Sequence, residues 1–353
     1  MRRRCLRAIA LLLFLVATAL ISPALPSLSL KEIITKNILT AGDPAQLARI
    51  KNYAFTARNQ KFYLSNNGQM KITLGQPPAI SEIILVNKEK VIRNSYNNIS
   101  QFSELLKASY QVMARLRSGF FTLKNFQKEL QYQGLKKFGL KQHHVLLIRQ
   151  GPLEVRFYLD PQSFRLKRLV LRGYDAEKGH YEVNHDFGEY KPFEAVHLPS
   201  SWFVSQVGTR GQLFEISEVN FNLDLPPDFF DSLELNIGQV KVSPGLIKGN
   251  IVSYNIARNN RLTLETNIIL KSLSQVNLQP GQQVILKVAG TQLAVKFYVA
   301  RPPREELGPG AIFMMPDLQD KHLIIYILST EYGHLAKVLK PLLPLELVVK
   351  NDQ

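Results

Sequence analysis

The stretch that decides the fold of this chain runs from residue 158 to residue 230, where short strands alternate with turns. Tyr158-Leu159-Asp160-Pro161 ends one strand, and a basic strand, FRLKRLVLR, follows at residues 164–172. The segment FGEYKPFEAVHLP occupies residues 187–199. The strand EISEVNFNLD at residues 215–224 then leads into PPDFF at residues 226–230. Strands joined by such short connections predict an antiparallel sheet.

The periodicity on either side of this stretch predicts how the sheet is covered. In residues 153–159, apolar and polar side chains alternate, so one face of that strand is buried and the other is solvated. The alternation in residues 164–171 breaks near Arg168, which predicts a β-bulge and a strongly curved sheet. Residues 102–116 change to a helical spacing of apolar side chains and predict one long amphipathic helix.

Two helix starts and a series of strands precede that long helix. Ser29 and Glu32 form a capping box. Asp43 and Pro44 are the N-cap and the first position of a second, short helix. Apolar runs bounded by turn residues then predict strands at residues 53–64, 71–74, 80–86 and 90–93.

This order of elements resembles the LolA-like family, the bacterial outer-membrane lipoprotein carriers and their relatives. The resemblance covers residues 28–230 and is clearest over residues 158–230, although Ala41-Gly42-Asp43 stands where the family commonly has a glycine pair. It implies an α+β fold, in which a strongly curved antiparallel sheet forms an incomplete β-barrel and helices close its hollow. It also implies that the apolar hollow holds acyl chains of lipoproteins or lipids in the periplasm.

The sequence pattern predicts that the chain divides into three segments. We expect a signal peptide at residues 1–24, the LolA-like domain at residues 25–232, and a smaller, mostly-β domain at residues 233–353. In the last segment, residues 284–288 and 293–299 predict a hairpin. Residues 278–284, together with this hairpin, are similar to small β-domains of periplasmic chaperones that assemble the flagellar basal body.

The N-terminus predicts export. Four arginines within residues 2–7 precede an apolar run at residues 8–21 and the small residues Ser22-Pro23-Ala24. The run is shorter than the roughly 20 residues that span a bilayer, so we expect cleavage near Ala24 and a periplasmic protein. Retention of the run as an anchor is the alternative. The single cysteine, Cys5, precedes the run, so the chain has no lipobox.

The net charge of +16 is reduced to +12 when the four N-terminal arginines are removed. In an exported protein, a basic surface favours contact with an anionic membrane or lipid headgroup over contact with nucleic acid. A basic surface without a specific partner is the alternative interpretation. We therefore expect no nucleic-acid partner.

The sequence contains no recognised catalytic motif. Phosphate-binding loops, Gly-x-Ser-x-Gly elbows and His-Glu-x-x-His pairs are absent. His180, Glu182, His185 and Asp186 are the nearest approach to a metal cluster, but strand geometry places His180 and Glu182 on one face and His185 on the other. We expect no enzymatic activity, no metal and no cofactor.

The resemblance makes this protein a candidate periplasmic carrier of lipoprotein acyl chains or phospholipid, with transient membrane contact. An envelope membrane protein is a further candidate partner. The apolar residues expected to line the hollow are Val155, Phe157, Leu169, Leu171, Phe214, Ile216, Trp202 and Met113. The basic residues expected to face a headgroup or membrane are Arg165, Lys167 and Arg168. Packing in an ordinary core, or on a solvated strand, is the alternative for each of them.

Two other functions fit the same fold. Some relatives combine a LolA-like domain with a second domain, sense mislocalised lipoproteins and regulate envelope-stress signalling, so a sensor or protein-interaction module is one alternative. An envelope assembly chaperone is the other, and it depends on the similarity of residues 278–284 alone.

Overall fold

A computed structural model describes residues 28–75, 78–175, 179–257, 261–317 and 322–349 of the chain. The predicted signal segment therefore lies outside the described residues. Two large apolar cores form within them, one from buried side chains between residues 33 and 216 and the other from buried side chains between residues 247 and 349.

The first core is covered by one long sheet, whose thirteen strands within the described residues are β1 (Asn52–Ala57), β2 (Gln60–Ser65), β3 (Met70–Leu74), β4 (Glu82–Val86), β5 (Val91–Ser95), β6 (Asn98–Gln101), β7 (Gln131–Phe138), β8 (Lys141–Gln150), β9 (Leu153–Leu159), β10 (Leu166–Asp175), β11 (Gly179–Phe187), β14 (Ser201–Gln206) and β15 (Gln212–Phe221). They are antiparallel, in the order β6-β5-β4-β3-β2-β1-β15-β14-β11-β10-β9-β8-β7. The edge strands β6 and β7 do not pair with each other in the described part of the chain. The predicted fold class, an incomplete antiparallel barrel with helices, is confirmed.

The strands bend where their register slips. The pairing of β10 with β9 shifts between Leu166 and Arg168, at the place where the sequence alternation breaks. A second shift lies in β1, between Ala54 and Thr56 where it pairs with β15. Bulges increase local twist and bend a strand, so they account for the curvature of the sheet.

One predicted strand is in fact two. The apolar run at residues 53–64 was expected to be continuous, but β1 and β2 form a hairpin that turns at Arg58-Asn59. Arg58 adopts a positive φ of 58°, which favours glycine or asparagine over arginine, so the turn has no glycine signal in the sequence. The other short pair, β12 (Tyr190–Phe193) and β13 (Val196–Pro199), forms a separate hairpin.

Three helices contribute buried side chains to the first core. Helix α1 (Leu30–Leu39) begins at the predicted capping box, in which the Ser29 hydroxyl and the Glu32 carboxylate each accept a backbone N–H. Helix α2 (Pro44–Leu47) begins at the predicted N-cap, Asp43. Helix α3 (Glu104–Ser118) is the long amphipathic helix and ends at Gly119.

A buried asparagine joins α1 to two other segments of the domain by hydrogen bonds. The Asn37 side chain is fully buried; its amide donates to the Phe164 carbonyl (2.7 Å) and its oxygen accepts from the Leu123 N–H (2.7 Å). Leu123 begins a short 3₁₀ helix (Leu123–Phe126) that follows α3. One side chain therefore joins three segments that are distant in sequence.

The second core lies inside a smaller β-structure, whose strands are β16 (Lys241–Ser243), β17 (Leu246–Ile256), β18 (Leu262–Ile269), β19 (Gln283–Val288), β20 (Thr291–Phe297), β21 (Ile312–Pro316), β22 (His322–Ile327) and β23 (Pro344–Val349). Pairing of β17 with both β18 and β23 closes seven of the described strands into a ring, with β16 attached outside it. The predicted hairpin is β19–β20, which turns at Ala289-Gly290. A short helix, α4 (Leu270–Ser274), and 3₁₀ helices at Arg304–Glu306 and Thr330–Lys337 complete this part.

The two β-structures contact each other directly. Ile80 pairs as an isolated bridge with Asn236. The rings of Tyr96 and His322 stack at a centroid separation of 3.7 Å, and the Tyr96 hydroxyl donates to Glu265 (2.8 Å). These contacts place the loop between β5 and β6 against the seven-stranded ring.

Candidate functional site

A cavity of about 310 Å³ lies between helix α3 and the concave face of the long sheet. It is the hollow that the sequence resemblance implied. Its wall is mostly apolar, and the apolar lining residues are Phe62, Ile72, Leu74, Ile84, Leu106, Met113, Leu171, Val183, Trp202, Val204 and Phe214. The polar lining residues are Gln60, Glu82, Ser109, Tyr110, Arg117, Tyr181, His185 and Gln212.

Aromatic rings form one side of this cavity. Trp202 on β14 and Phe214 on β15 are register partners, and their rings stack with a centroid separation of 4.9 Å and an interplanar angle of 2°. Phe62 meets Trp202 edge-on at 6.0 Å. Because β-strand side chains on one face alternate, these pairs all point to the concave side of the sheet.

Helix α3 supplies the opposite side. Its cavity-lining residues recur every three or four positions, with Ser109 and Tyr110 adjacent, which places them on a single helical face; they are Leu106, Ser109, Tyr110, Met113 and Arg117. The helix approaches β10 closely at Gly173, where an added Cβ would lie 2.3 Å from the Leu105 side chain. Glycine at this position therefore permits the close packing of the helix on the sheet.

The helix ends in a turn that buries two aromatic rings. After Gly119, Phe120 and Phe121 both adopt positive φ angles, 57° and 59°, and both are buried. The Phe121 ring packs against those of Phe55 and Phe187. Positive φ in bulky residues is costly, so packing of the rings must hold this turn, and with it the C-terminal end of α3.

Arg117 is the one charged helix residue on the cavity wall, and it is almost completely buried, with 6 % of its surface exposed. Its guanidinium lies over the rings of Phe62 (4.4 Å) and Trp202 (5.1 Å), and one terminal nitrogen contacts the Met70 sulfur at 3.5 Å. Its Nε has no hydrogen-bond partner in the described structure. Removal from water lowers the pKa of Arg117 to about 10.

Two further titratable side chains face the same space. His185 on β11 is buried with an unpartnered Nδ1 within the described residues. Desolvation, and then the charge of Arg117, lowers its pKa to about 3, so the imidazole is neutral at physiological pH. Desolvation also raises the pKa of Tyr110 to about 12, which keeps that phenol neutral. Arg117 therefore carries the positive charge of the cavity interior.

The structure divides the eight predicted apolar residues into two groups. Leu171, Phe214, Trp202 and Met113 lie on the cavity wall. Val155, Phe157, Leu169 and Ile216 are buried in the surrounding core and are not on that wall. For instance, Phe157 packs on Phe126 at 5.0 Å. Whether any of the eight contacts a lipid stays a prediction.

The three predicted basic residues lie around the start of β10, away from the cavity lining. Arg168 makes a bidentate ion pair with Asp186 on β11, and its guanidinium lies over the Phe138 ring at 3.9 Å. Arg165 lies over the Tyr190 ring at 5.3 Å, and Lys167 is partly exposed. Their role in headgroup or membrane contact stays a prediction.

Sequence reasoning missed the polar residues of the cavity, above all Arg117. The sequence does indicate this residue, because Arg117 follows Met113 by one helical turn and so places a cation on the apolar face of α3. His185 was considered only as a metal ligand, and it does lie on the opposite face of β11 from Glu182, which pairs with Arg172 on the outer side.

Two features are absent from the described residues, a membrane-spanning helix and a metal-binding cluster. No helix among them is both long enough and apolar enough to span a bilayer. They also contain no group of three or more histidine, cysteine, aspartate or glutamate side chains arranged to hold a metal ion.

Comparison with known proteins gives distant structural matches. No protein-family model and no curated protein matches the chain. Similar solved structures include an uncharacterized conserved protein from Thermotoga maritima (16 % identity, 33 % of this chain, 41 % of that chain, TM-score 0.27). A LolA superfamily protein from Nitrosomonas europaea matches at 11 % identity, over 58 % of this chain and 98 % of that chain, with a TM-score of 0.34. MucB in the Pseudomonas aeruginosa MucA/MucB complex matches at 8 % identity, over 84 % and 92 %, with a TM-score of 0.18.

These matches differ in how much of each solved structure they cover. The present chain spans about two fifths of the Thermotoga maritima protein but nearly all of the Nitrosomonas europaea one. Because every TM-score is below 0.5 and every identity is below 25 %, the matches carry no argument about ligand, partner or activity.

Proposed function

We propose that this protein binds the acyl chain of a lipid or lipoprotein in the cavity beneath helix α3 and carries it through the periplasm. The observation that supports the proposal most directly is the cavity itself, which is walled by aromatic and aliphatic side chains and covered by a single helix. Ligand pockets of about 300 to 1,000 Å³ with such walls are the usual form of small-molecule sites.

The volume of the cavity sets the size of its ligand. A methylene group takes up about the volume of one water molecule, roughly 30 Å³, so 310 Å³ holds on the order of ten carbon atoms of one chain. At about 0.8 kcal/mol per buried methylene, such a chain gains roughly 8 kcal/mol. A longer or multiple-chain ligand requires α3 to move away from the sheet.

The proposed function requires export of the protein to the periplasm and contact with the envelope membranes. Residues 1–24 have the composition of a signal peptide, and a periplasmic location brings the carrier to both envelope membranes. The basic residues Arg165, Lys167 and Arg168 would then face anionic headgroups during transfer. N-terminal sequencing of the exported protein tests the expected cleavage near Ala24, because an uncleaved chain would begin at Met1.

A cavity-filling variant tests acyl-chain binding. Ser109 faces the cavity from α3, where its hydroxyl donates to the Leu105 carbonyl of its own helix (2.9 Å) and also makes a hydrogen bond with the Tyr181 side chain. Ser109→Phe would place a ring in the space of the ligand. We expect the wild-type protein, purified from a bacterial periplasm, to carry extractable lipid in native mass spectrometry and Ser109→Phe to carry much less.

The matched control is Glu104→Phe, which adds the same ring at the exposed first turn of α3. It should retain wild-type lipid. A wild-type protein that is free of lipid, and takes up none when vesicles are offered, would contradict the carrier function. Equal lipid content in Ser109→Phe would move the binding site away from this cavity.

One observation favours the alternative of a protein-interaction or sensor module. Phe203 and Leu213 are register partners on β14 and β15, and both are exposed, as is Val207 in the connecting turn. An exposed apolar patch often marks a contact with a protein or membrane. A stable complex with the periplasmic segment of a membrane protein, lost in Leu213→Glu and unchanged by lipid, would support this module over the carrier. A role as an assembly chaperone has no comparable support in the structure.

A further inference from the structure

A buried cation without an anion is the least expected feature of the cavity. Arg117 has 6 % of its surface exposed, and no carboxylate of the described chain forms an ion pair with it. The acidic residue on the cavity wall, Glu82, is bonded instead to Arg93 at 2.8 Å. Burial of an ion without a counter-ion is expensive, and such groups are normally paired or placed for function.

The surroundings of Arg117 hold its charge in place without neutralising it. The rings of Phe62 and Trp202 stabilise the guanidinium through cation–π contacts at 4.4 and 5.1 Å. The neighbouring His185 has an unpartnered Nδ1 within the described residues and carries no charge at neutral pH. A guanidinium offers a planar fork of N–H donors that matches an oxyanion. The Nε–H of Arg117 therefore has no acceptor in the described structure and is held in place beside the cavity.

We propose that the ligand of this cavity is a single-chain amphiphile with one carboxylate, which pairs with Arg117 while the tail packs along Trp202 and Phe214. This inference rests on the proposed acyl-chain function and narrows its substrate class. The one guanidinium charge is balanced by one carboxylate charge. A phosphate monoester carries about −1.5 to −2 at pH 7 and would leave excess negative charge among apolar walls.

The size of the cavity points to the same ligand class. Its roughly 310 Å³ matches one chain of on the order of ten carbon atoms, which favours a single-chain ligand. Arg117 and Met113 line the cavity from α3, one helical turn apart, and face Trp202 and Phe214 on the sheet, so the helix closes over both head and tail. Movement of α3 would release both together.

The test compares three ligands of equal tail length, namely decanoate, decanol and decyl phosphate, by isothermal titration at pH 8. We expect decanoate to bind about ten- to a hundredfold more tightly than decanol, which is the range of a hydrogen bond to a charged group, and also more tightly than decyl phosphate. This comparison uses the wild-type protein and does not depend on any variant folding.

Substitution of Arg117 then tests which side chain binds the carboxylate of the ligand. Arg117→Met should bind decanol as well as wild type does and lose the preference for decanoate, whereas Arg117→Lys should keep part of it. The control is Arg172→Met, which removes an arginine that pairs with Glu182 on the outer side of the sheet and should leave all affinities unchanged.

The outcomes separate this inference from the function on which it rests. Equal binding of decanoate and decanol would overturn the carboxylate assignment and leave the acyl-chain function intact. Tighter binding of decyl phosphate would identify a phosphate ligand and also overturn the assignment. A decanoate preference that persists in Arg117→Met would place the head elsewhere. Failure of all three ligands to bind would overturn both proposals.

Discussion

Replacement of Arg117 by methionine should make the ligand-free protein more stable. The guanidinium is buried, has no counter-ion in the described structure, and has an unpartnered Nε. Methionine has a similar length and suits a site bordered by Met70 and the rings of Phe62 and Trp202. The backbone carbonyl of residue 117, which accepts the Tyr53 hydroxyl, is unaffected by the change.

The size of the effect follows from two opposing contributions. Burial lowers the pKa of Arg117 to about 10, well below the ordinary value of a guanidinium. At 1.36 kcal/mol per pKa unit, this lowering means that folding costs the charged form on the order of 3 kcal/mol. Loss of the two cation–π contacts offsets roughly 1–2 kcal/mol. We therefore expect Arg117→Met to raise the free energy of unfolding by about 1–2 kcal/mol, within the range known for replacing buried charges by apolar residues.

The sign of the pH dependence agrees with this expectation. The unfolded chain binds the Arg117 proton more tightly than the folded chain, so the penalty is fully present below about pH 10 and disappears only as the pH rises toward the ordinary pKa of a guanidinium. At pH 7 the wild type therefore carries the whole penalty, and the comparison with Arg117→Met is best made there.

Denaturant unfolding followed by tryptophan fluorescence measures this effect. The chain has one tryptophan, and Trp202 lies in the cavity wall, so its emission reports on the long-sheet domain. Arg115→Met is the matched control, because Arg115 bonds Glu129 and the Asn125 carbonyl at 2.6 Å each. Its loss should lower the midpoint. An unchanged or lower midpoint for Arg117→Met, with the same denaturant slope, would refute the reasoning.

Three further changes test the fold. Gly42 has a φ of +135°, and an added Cβ would lie 2.4 Å from a backbone oxygen. Gly42→Ala should therefore lower the free energy of unfolding by several kcal/mol, measured by thermal unfolding. Gly68→Ala, which has open space at its Cβ, is the control and should lower it by about 1 kcal/mol. Asn37→Ala leaves a buried carbonyl and a buried N–H without partners, so we expect a loss of about 2–6 kcal/mol, and a loss below 1 kcal/mol would contradict that role. His185, with its pKa lowered to about 3, binds a proton only in the unfolded chain between pH 6.5 and 3, so acidification should lower stability by up to about 1.4 kcal/mol per pH unit there. His185→Leu should flatten that pH dependence, and an unaltered slope would show that the imidazole is already protonated in the folded protein.

Much of the fold was predictable because its determinants are local. The capping box at Ser29, the N-cap at Asp43 and the apolar stripe of the long helix each depend on residues within a few positions of one another. The bulge near Arg168 was visible as a break in strand alternation. The hairpin turn at Arg58-Asn59 was not predictable, because arginine at a positive φ has no turn signal and only tertiary packing holds it there.

The candidate site was only partly predictable. The alternation of residues 153–159 separated a buried face of β9 from a solvated one, and all eight predicted apolar residues are buried in the structure. Alternation alone cannot separate the sheet residues that line the cavity from those that pack in the core, because both sets lie on one face of the sheet, whereas Met113 reaches the cavity from α3. That division depends on where α3 crosses the sheet, which the close approach at Gly173 helps to determine.

By itself, the sequence determined the local elements of this protein: where helices start, which side chains share a strand face, where a strand bends, and that no known catalytic motif is present. These follow from backbone geometry and from the period of apolar residues, which act over a few residues. Only the tertiary structure decided that β1 pairs with β15, that the second β-structure closes into a ring, and that Arg117 lies inside an apolar cavity without a counter-ion. Those outcomes depend on contacts between residues tens to hundreds of positions apart, and the charge state of a buried side chain depends on what such contacts exclude.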